Sequence, residues 1–153
     1  MTGAAFALVQ LVLLLALLRS KGAAEGEQSA YIPADWGAGL ALALLYAAVM
    51  LGVVALWARR WRVLPLSPEA AEADPSWIRG PYRFVRHPMR LALLAGALGW
   101  CLIYRSPINL ALLAVLLGVT LLDARRSDRA HAAAGPTGRA WLAEVRAFVP
   151  GLY

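Results

Sequence analysis

Blocks of alanine and leucine, separated by short polar stretches, divide the chain into four apolar runs, at about 4–18, 37–57, 91–104 and 108–122. Crossing about 30 Å of hydrocarbon takes roughly 20 helical residues, within a usual range of about 17–25. The second run reaches that length on apolar residues alone. The other three must borrow flanking residues, whose long side chains can snorkel to the interface. Buried core helices of a water-soluble protein are the alternative for runs this short. Four of them in 153 residues leave too little polar chain to cover such a core in water. The pattern therefore predicts an all-α integral membrane bundle of about four transmembrane helices, forming a single domain over residues 1–153. Arg105-Ser106-Pro107 separates the third run from the fourth. Proline breaks a helix and suits the first turn of the next, so these two runs are expected to form a tight helical hairpin followed by a cytoplasmic tail. The first run could be a signal peptide, but it lacks a basic region ahead of it and no soluble domain follows, which favours a retained helix.

Composition agrees with the pattern. Hydrophobic residues make up 61% of the chain and charged residues 16%, against roughly 45–50% and 25% in soluble domains. The net charge of +6 would suit nucleic acid only if it lay on a solvated basic face. In a membrane protein the same excess follows from retention of arginine on the cytoplasmic side. With four crossings, the N-terminus, the 58–90 connection and the tail share one face, and twelve of the fifteen basic residues fall there. The expectation is a bacterial or organellar-type inner membrane protein with both termini cytoplasmic and no nucleic-acid partner. The single cysteine, Cys101, sits inside an apolar run and reads as a small packing residue.

Charge is densest in GPYRFVRHPMR, residues 80–90, immediately before the third run. Trp77, Tyr82 and Phe84 intersperse the arginines, as suits a membrane interface. Gly80-Pro81 reads as a turn, and Pro88 sits where a helix could begin. Arg86 and His87 would then lie just ahead of a helix N-terminus, where free N–H groups and the positive end of the dipole favour an anion. A guanidinium and an imidazole beside it suit a carboxylate or a phosphate. The plainer alternative is that these arginines fix topology and touch anionic headgroups.

Gly80-Pro81-Tyr82 followed by Arg86-His87-Pro88 resembles the G-P-Y-x-x-x-R-H-P signature of the isoprenylcysteine carboxyl methyltransferases and of related membrane methyltransferases acting on phospholipid amines. The tail WLAEVRAFVPG, residues 141–151, is similar to that family's ending, and the resemblance covers about 75–151. It implies S-adenosylmethionine bound at the cytoplasmic end of the hairpin, and a membrane lipid or lipidated molecule as methyl acceptor. Arg86 and His87 would grip the cofactor carboxylate, with Pro88 setting the helix start. Tyr82 and Arg83 would shape the mouth, and Asp128 would meet the ammonium. No catalytic residue and no metal ligand is assigned.

Two departures stand out. The family continues R-H-P-x-Y-x-G, where this chain has Arg90 and Ala92, and its acidic pair is matched only by Asp128-Arg129, with Asp123 and Glu144 as stand-ins. Two alternatives therefore stay open. One is a catalytically inactive relative that binds lipid or a partner. The other is a haem protein of the same superfamily, with His87, and His131 with it, as axial ligands. Asp123 is expected to pair with Arg125 or Arg126 or to touch a ligand. Trp141, Val145, Phe148 and Val149 are expected on the bilayer surface or capping the bundle, with closure of a cofactor pocket as the alternative. The 65–74 stretch reads as a solvated connector, and His131 as incidental.

Overall fold

The computed structural model describes residues 3–20, 34–58, 80–104 and 106–145. Among them are five α-helices and one 3-10 turn: α1 (Gly3–Arg19), α2 (Ala34–Ala58), the turn Gly80–Arg83, α3 (Pro88–Ile103), α4 (Pro107–Ala134) and α5 (Pro136–Glu144). The expected all-α class holds. The 65–74 connector, Trp77, Phe148 and Val149 lie outside the described residues.

Two helix ends differ from the hydropathy pattern. α3 begins at Pro88 instead of Leu91, because proline is pre-set for the first helical position and the His87 carbonyl already accepts the Leu91 N–H at 2.9 Å. α4 does not stop at Leu122 but runs to Ala134. Alanine and arginine hold a helix in water as well as leucine does. The end comes at Gly135-Pro136, where α5 starts with proline in its first turn.

α2 and α4, of 25 and 28 residues, are long and apolar enough to cross a membrane. Within their apolar windows only 17% and 22% of positions are buried. A core helix of a water-soluble protein buries most of its surface, so lipid is the solvent that suits these faces. Exposed Trp36 and Trp57 mark the two ends of α2. At 1.5 Å per residue they stand about 31 Å apart along the helix, close to the thickness of the hydrocarbon core. α1 and α3 are shorter, at 17 and 16 residues.

The described chain divides into two compact units, residues 1–49 with 92–121, and residues 50–91 with 122–153. In the first, Leu17, Ala97, Cys101 and Leu116 form a buried cluster flanked by Leu13, Leu94, Trp100 and Leu112. Cys101 is thus a packing residue, as expected. Small residues bring α2 and α3 together: a Cβ added at Gly99 would lie 2.9 Å from the Ala41 carbonyl oxygen, and one at Gly96 would lie 3.5 Å from the Ala48 Cβ.

The hairpin corner in this unit is tied by polar side chains. Ser106 caps α4, its Oγ accepting the Ile108 N–H at 3.3 Å. Fully buried Asn109 donates to the Tyr104 carbonyl at 2.8 Å and accepts from the Ser20 hydroxyl. The Trp100 indole donates to the Leu17 carbonyl at 3.0 Å, and Gln10 donates to Thr120 at 3.3 Å. In lipid, unpaired polar groups are costly, so such bonds select one helix register.

Candidate functional site

The second unit holds the charged stretch. Gly80 adopts φ +55°, a left-handed conformation that glycine takes without strain. The 3-10 turn that follows is closed by the N–H groups of Phe84 and Val85 on the Pro81 carbonyl, at 3.1 and 2.9 Å. This turn buries Tyr82 and Val85 while Arg83 and Phe84 stay exposed. Two residues later, His87 and Pro88 are buried at the start of α3.

Five side chains link into one network. Asp128 receives Arg86 Nη1 on Oδ2 and His87 Nε2 on Oδ1, each at 2.9 Å. His87 Nδ1 lies 2.6 Å from Arg90 Nη1. Arg90 turns its Nε and Nη2 toward Asp123 Oδ2, at 3.1 and 2.8 Å. Two guanidiniums face two carboxylates across an imidazole, so the network is neutral as a whole when the imidazole is neutral. His87 is the most deeply buried member, with the four charged side chains 15–21% exposed.

Arg86 does a second job. Its Nη2 donates to the Leu142 carbonyl at 2.7 Å and its Nε to the Val145 carbonyl. These carbonyls sit at the C-terminal end of α5, where the helix dipole favours a cation. The Trp141 indole donates to the Tyr82 carbonyl at 3.2 Å. Trp141 also meets His131 edge-on, with ring centroids 5.7 Å apart. Trp141 and Val145 are buried, 5% and 6% exposed. Of the two placements expected for them, on the bilayer surface or capping the bundle, burial goes against the first: the indole needs a hydrogen-bond partner and finds it in protein.

Of the residues singled out in the sequence, Arg86, His87 and Asp128 come together, Pro88 starts the helix beneath them, and Tyr82 contributes its carbonyl to Trp141. Arg83 is exposed. The expected pairing of Asp123 with Arg125 or Arg126 gives way to Arg90, because those two arginines are exposed. Arg90 and Asp123 were both readable as charges bordering apolar runs, and a charge at such depth calls for a partner. The carbonyls of Leu142 and Val145 left no mark in the side-chain pattern.

His87 cannot donate from both ring nitrogens here. Arg90 is only a donor, so Nδ1 must accept, which leaves the proton on Nε2 and directed at Asp128. Burial lowers the His87 pKa below its ordinary value, and the charges of Arg90 and Arg86 act in the same direction against the bond and charge of Asp128. Geometry and electrostatics agree on a neutral ring, so its contact with Asp128 is a hydrogen bond and not an ion pair. Both ring nitrogens are engaged, Nε2 with Asp128 and Nδ1 with Arg90.

A family model described as phospholipid methyltransferase matches residues 70–132. Over that stretch the chain is similar to the phospholipid methyltransferase family. The family is part of the superfamily of membrane methyltransferases that includes the isoprenylcysteine enzymes. No curated protein and no solved structure matches the chain. The matched segment contains Arg86, His87, Arg90, Asp123 and Asp128, and ends before α5. Together with two helices long and apolar enough to span, that similarity points to an integral membrane protein.

The donor set suits the amino-acid end of S-adenosylmethionine, the methyl donor that the family implies. That end carries one carboxylate and one ammonium. Arg86 and Asp128 form an opposite pair of the same kind, so a zwitterion can bridge them by exchange of partners without changing the charge of the site.

Proposed function

We propose that this protein is an integral membrane methyltransferase that moves a methyl group from S-adenosylmethionine to a lipid-like acceptor, either a phospholipid amine or an isoprenylcysteine-type carboxylate. The observation that carries this reading is the Arg86–Asp128 pair, tied to His87, inside the family segment. Arg86 holds the cofactor carboxylate, Asp128 its ammonium, and His87 orients Asp128. Pro88 fixes the helix start, while Tyr82 and Arg83 border the opening. When bound, the cofactor supplies an electrophilic methyl group; the protein's part is to hold the acceptor in line and keep water out.

The supporting topology has four crossings and both termini in the cytoplasm of a bacterial or organellar-type inner membrane. α1 and α3 borrow flanking residues to reach across. The arginine distribution supports this orientation. One domain, residues 1–153, carries the activity.

The test is calorimetric binding of S-adenosylhomocysteine to the protein in nanodiscs, beside His87→Ala. Binding in the micromolar range that weakens at least about tenfold in the variant, a difference of about 1.4 kcal/mol, supports the reading. A folded wild-type protein that ignores the ligand at millimolar concentration overturns it.

A second reading has its own observation. Arg90 stands where the family has tyrosine and is closed onto Asp123, so a former aromatic wall has become part of a self-neutralising ion network. That favours an inactive relative that binds lipid or a partner protein. The same calorimetry separates the two.

A further inference from the structure

Arg90 is an awkward residue for its position. It sits in the first turn of α3, where the helix dipole opposes a cation. Its neighbours along the chain are apolar, and 20% of its side chain is exposed. Asp123 answers the charge with bonds from Nε and Nη2, and that grip leaves Nη1 aimed at His87 Nδ1, 2.6 Å away. His87 and Arg90 are three residues apart, so both side chains share one face of the first turn.

We propose that Arg90, anchored by Asp123, is a positioning residue that fixes His87 as the neutral imidazole with its proton on Nε2. The proton then points at Asp128 Oδ1, and Asp128 is held on both oxygens, by His87 and by Arg86. The charged groups facing His87 are Arg86 and Arg90 from its own segment and Asp128 from α4, with Asp123 behind Arg90. An imidazolium would set an Nδ1–H against an Arg90 N–H, two donors with no acceptor between them.

The consequence deepens the proposed function and rests on it: His87 contributes direction and not charge to a zwitterionic ligand, and Arg86 alone supplies the cation. The family's tyrosine could not do this in the same way. A phenol can donate to Nδ1 but carries no charge, and has no second set of donors with which to hold Asp123.

The test reads the ring itself and needs no cofactor. The protein carries two histidines, so a His131→Asn background with ¹⁵N-labelled histidine in nanodiscs reports His87 alone. A bare, accepting Nδ1 and a protonated Nε2 are expected near neutral pH. Arg90→Leu removes the donor, so the ring samples both tautomers and its titration midpoint moves upward. Asp123→Asn gives a smaller change in the same direction, and Arg90→Lys keeps the wild-type pattern. Should Arg90→Leu fail to fold, these two variants decide the matter.

The exchanged pair Arg90→Asp with Asp123→Arg separates positioning from plain ion pairing. The swap restores the salt bridge but places an acceptor against Nδ1, so His87 becomes protonated there. A wild-type spectrum in the swapped protein, or an unchanged one in folded Arg90→Leu, overturns the proposal. If S-adenosylhomocysteine fails to bind while the tautomer behaves as expected, only the methyltransferase reading falls. Binding with the wrong tautomer removes only the positioning role.

Discussion

The two compact units solve the burial of polar groups in opposite ways. Residues 1–49 with 92–121 keep to neutral groups: Gln10 with Thr120, Ser20 with Asn109, and the Trp100 indole on a carbonyl, set around an apolar cluster. Residues 50–91 with 122–153 instead concentrate charge, but in matched pairs around a neutral ring. Where lipid is the solvent, association rests on close packing and on hydrogen bonds worth about 0.6–2 kcal/mol each. Where water and headgroups are near, charge is tolerable if it is compensated locally, and it brings a property that apolar packing lacks. An ion pair can change partners. A site for a charged ligand belongs with the second kind of construction.

The comparison breaks most directly at Arg86. Alanine there removes contacts to Asp128, Leu142 and Val145 at once. It leaves a carboxylate with one neutral donor and takes the cation from the end of α5. A loss of about 3 kcal/mol is expected from bonds to charged groups in a half-buried setting. Lysine recovers only part of it, since a point charge cannot reach three acceptors in a planar fork. Unfolding by a denaturing detergent measures the loss, and the tryptophan emission that a Trp141→Phe control removes, out of six tryptophans, checks whether α5 lets go. An Arg86→Ala protein as stable as wild type would mean that the network contributes nothing to the fold.

In the apolar unit the matching experiment adds a single methyl group. Gly99→Ala drives a Cβ to within 2.9 Å of the Ala41 carbonyl oxygen, with Leu45 Cγ at 3.1 Å, so backbone must shift. Overpacking of this kind costs about 1–3 kcal/mol. Gly118→Ala is the internal control, because its Cβ meets nothing within 4 Å, and helix propensity then favours alanine by up to about 1 kcal/mol. Opposite signs for the two variants, read from thermal unfolding in detergent, would show that close approach and not helix propensity governs that unit. Equal effects would remove the argument for a tight α2–α3 contact.

The sequence was most legible where one force dominated. Hydropathy located α1 to α4, though not α5, because lipid exposure leaves little room for polar residues, and Pro88 and Pro107 marked true helix starts. It failed at the end of α4, where hydropathy stops at Leu122 but helix propensity does not. The motif drew attention to Arg86 and His87, and the nearest acidic match supplied Asp128. What the motif could not supply was geometry between distant positions. Arg90 stood out as a lost tyrosine, and Asp123 as a stand-in for the acidic pair, a partner for Arg125 or Arg126, or a ligand contact. Their pairing depends on the packing of α3 against the last turns of α4, which a linear pattern does not encode. The backbone carbonyls that receive Arg86 have no sequence signature at all.

The smallest expected effect concerns pH and touches only the charged unit. The pKa of His87 is lowered in the folded protein, chiefly by burial, below an unfolded value of about 6.5. Between the two values the unfolded chain binds the extra proton and the folded one does not, so stability rises with pH across that window. The contribution is therefore intact above about pH 6.5 and is lost as pH falls toward the folded pKa, with a slope of at most about 1.4 kcal/mol per unit for one proton. Glutamine is the informative replacement, since its amide can donate to Asp128 and its oxygen can accept from Arg90 without titrating. In a His131→Asn background, His87→Gln should flatten the pH dependence of the unfolding midpoint between about pH 5 and 7, above the range of ordinary carboxylates. A slope that survives this substitution would place the titrating group elsewhere and leave the ring without the neutral role that Arg90 gives it.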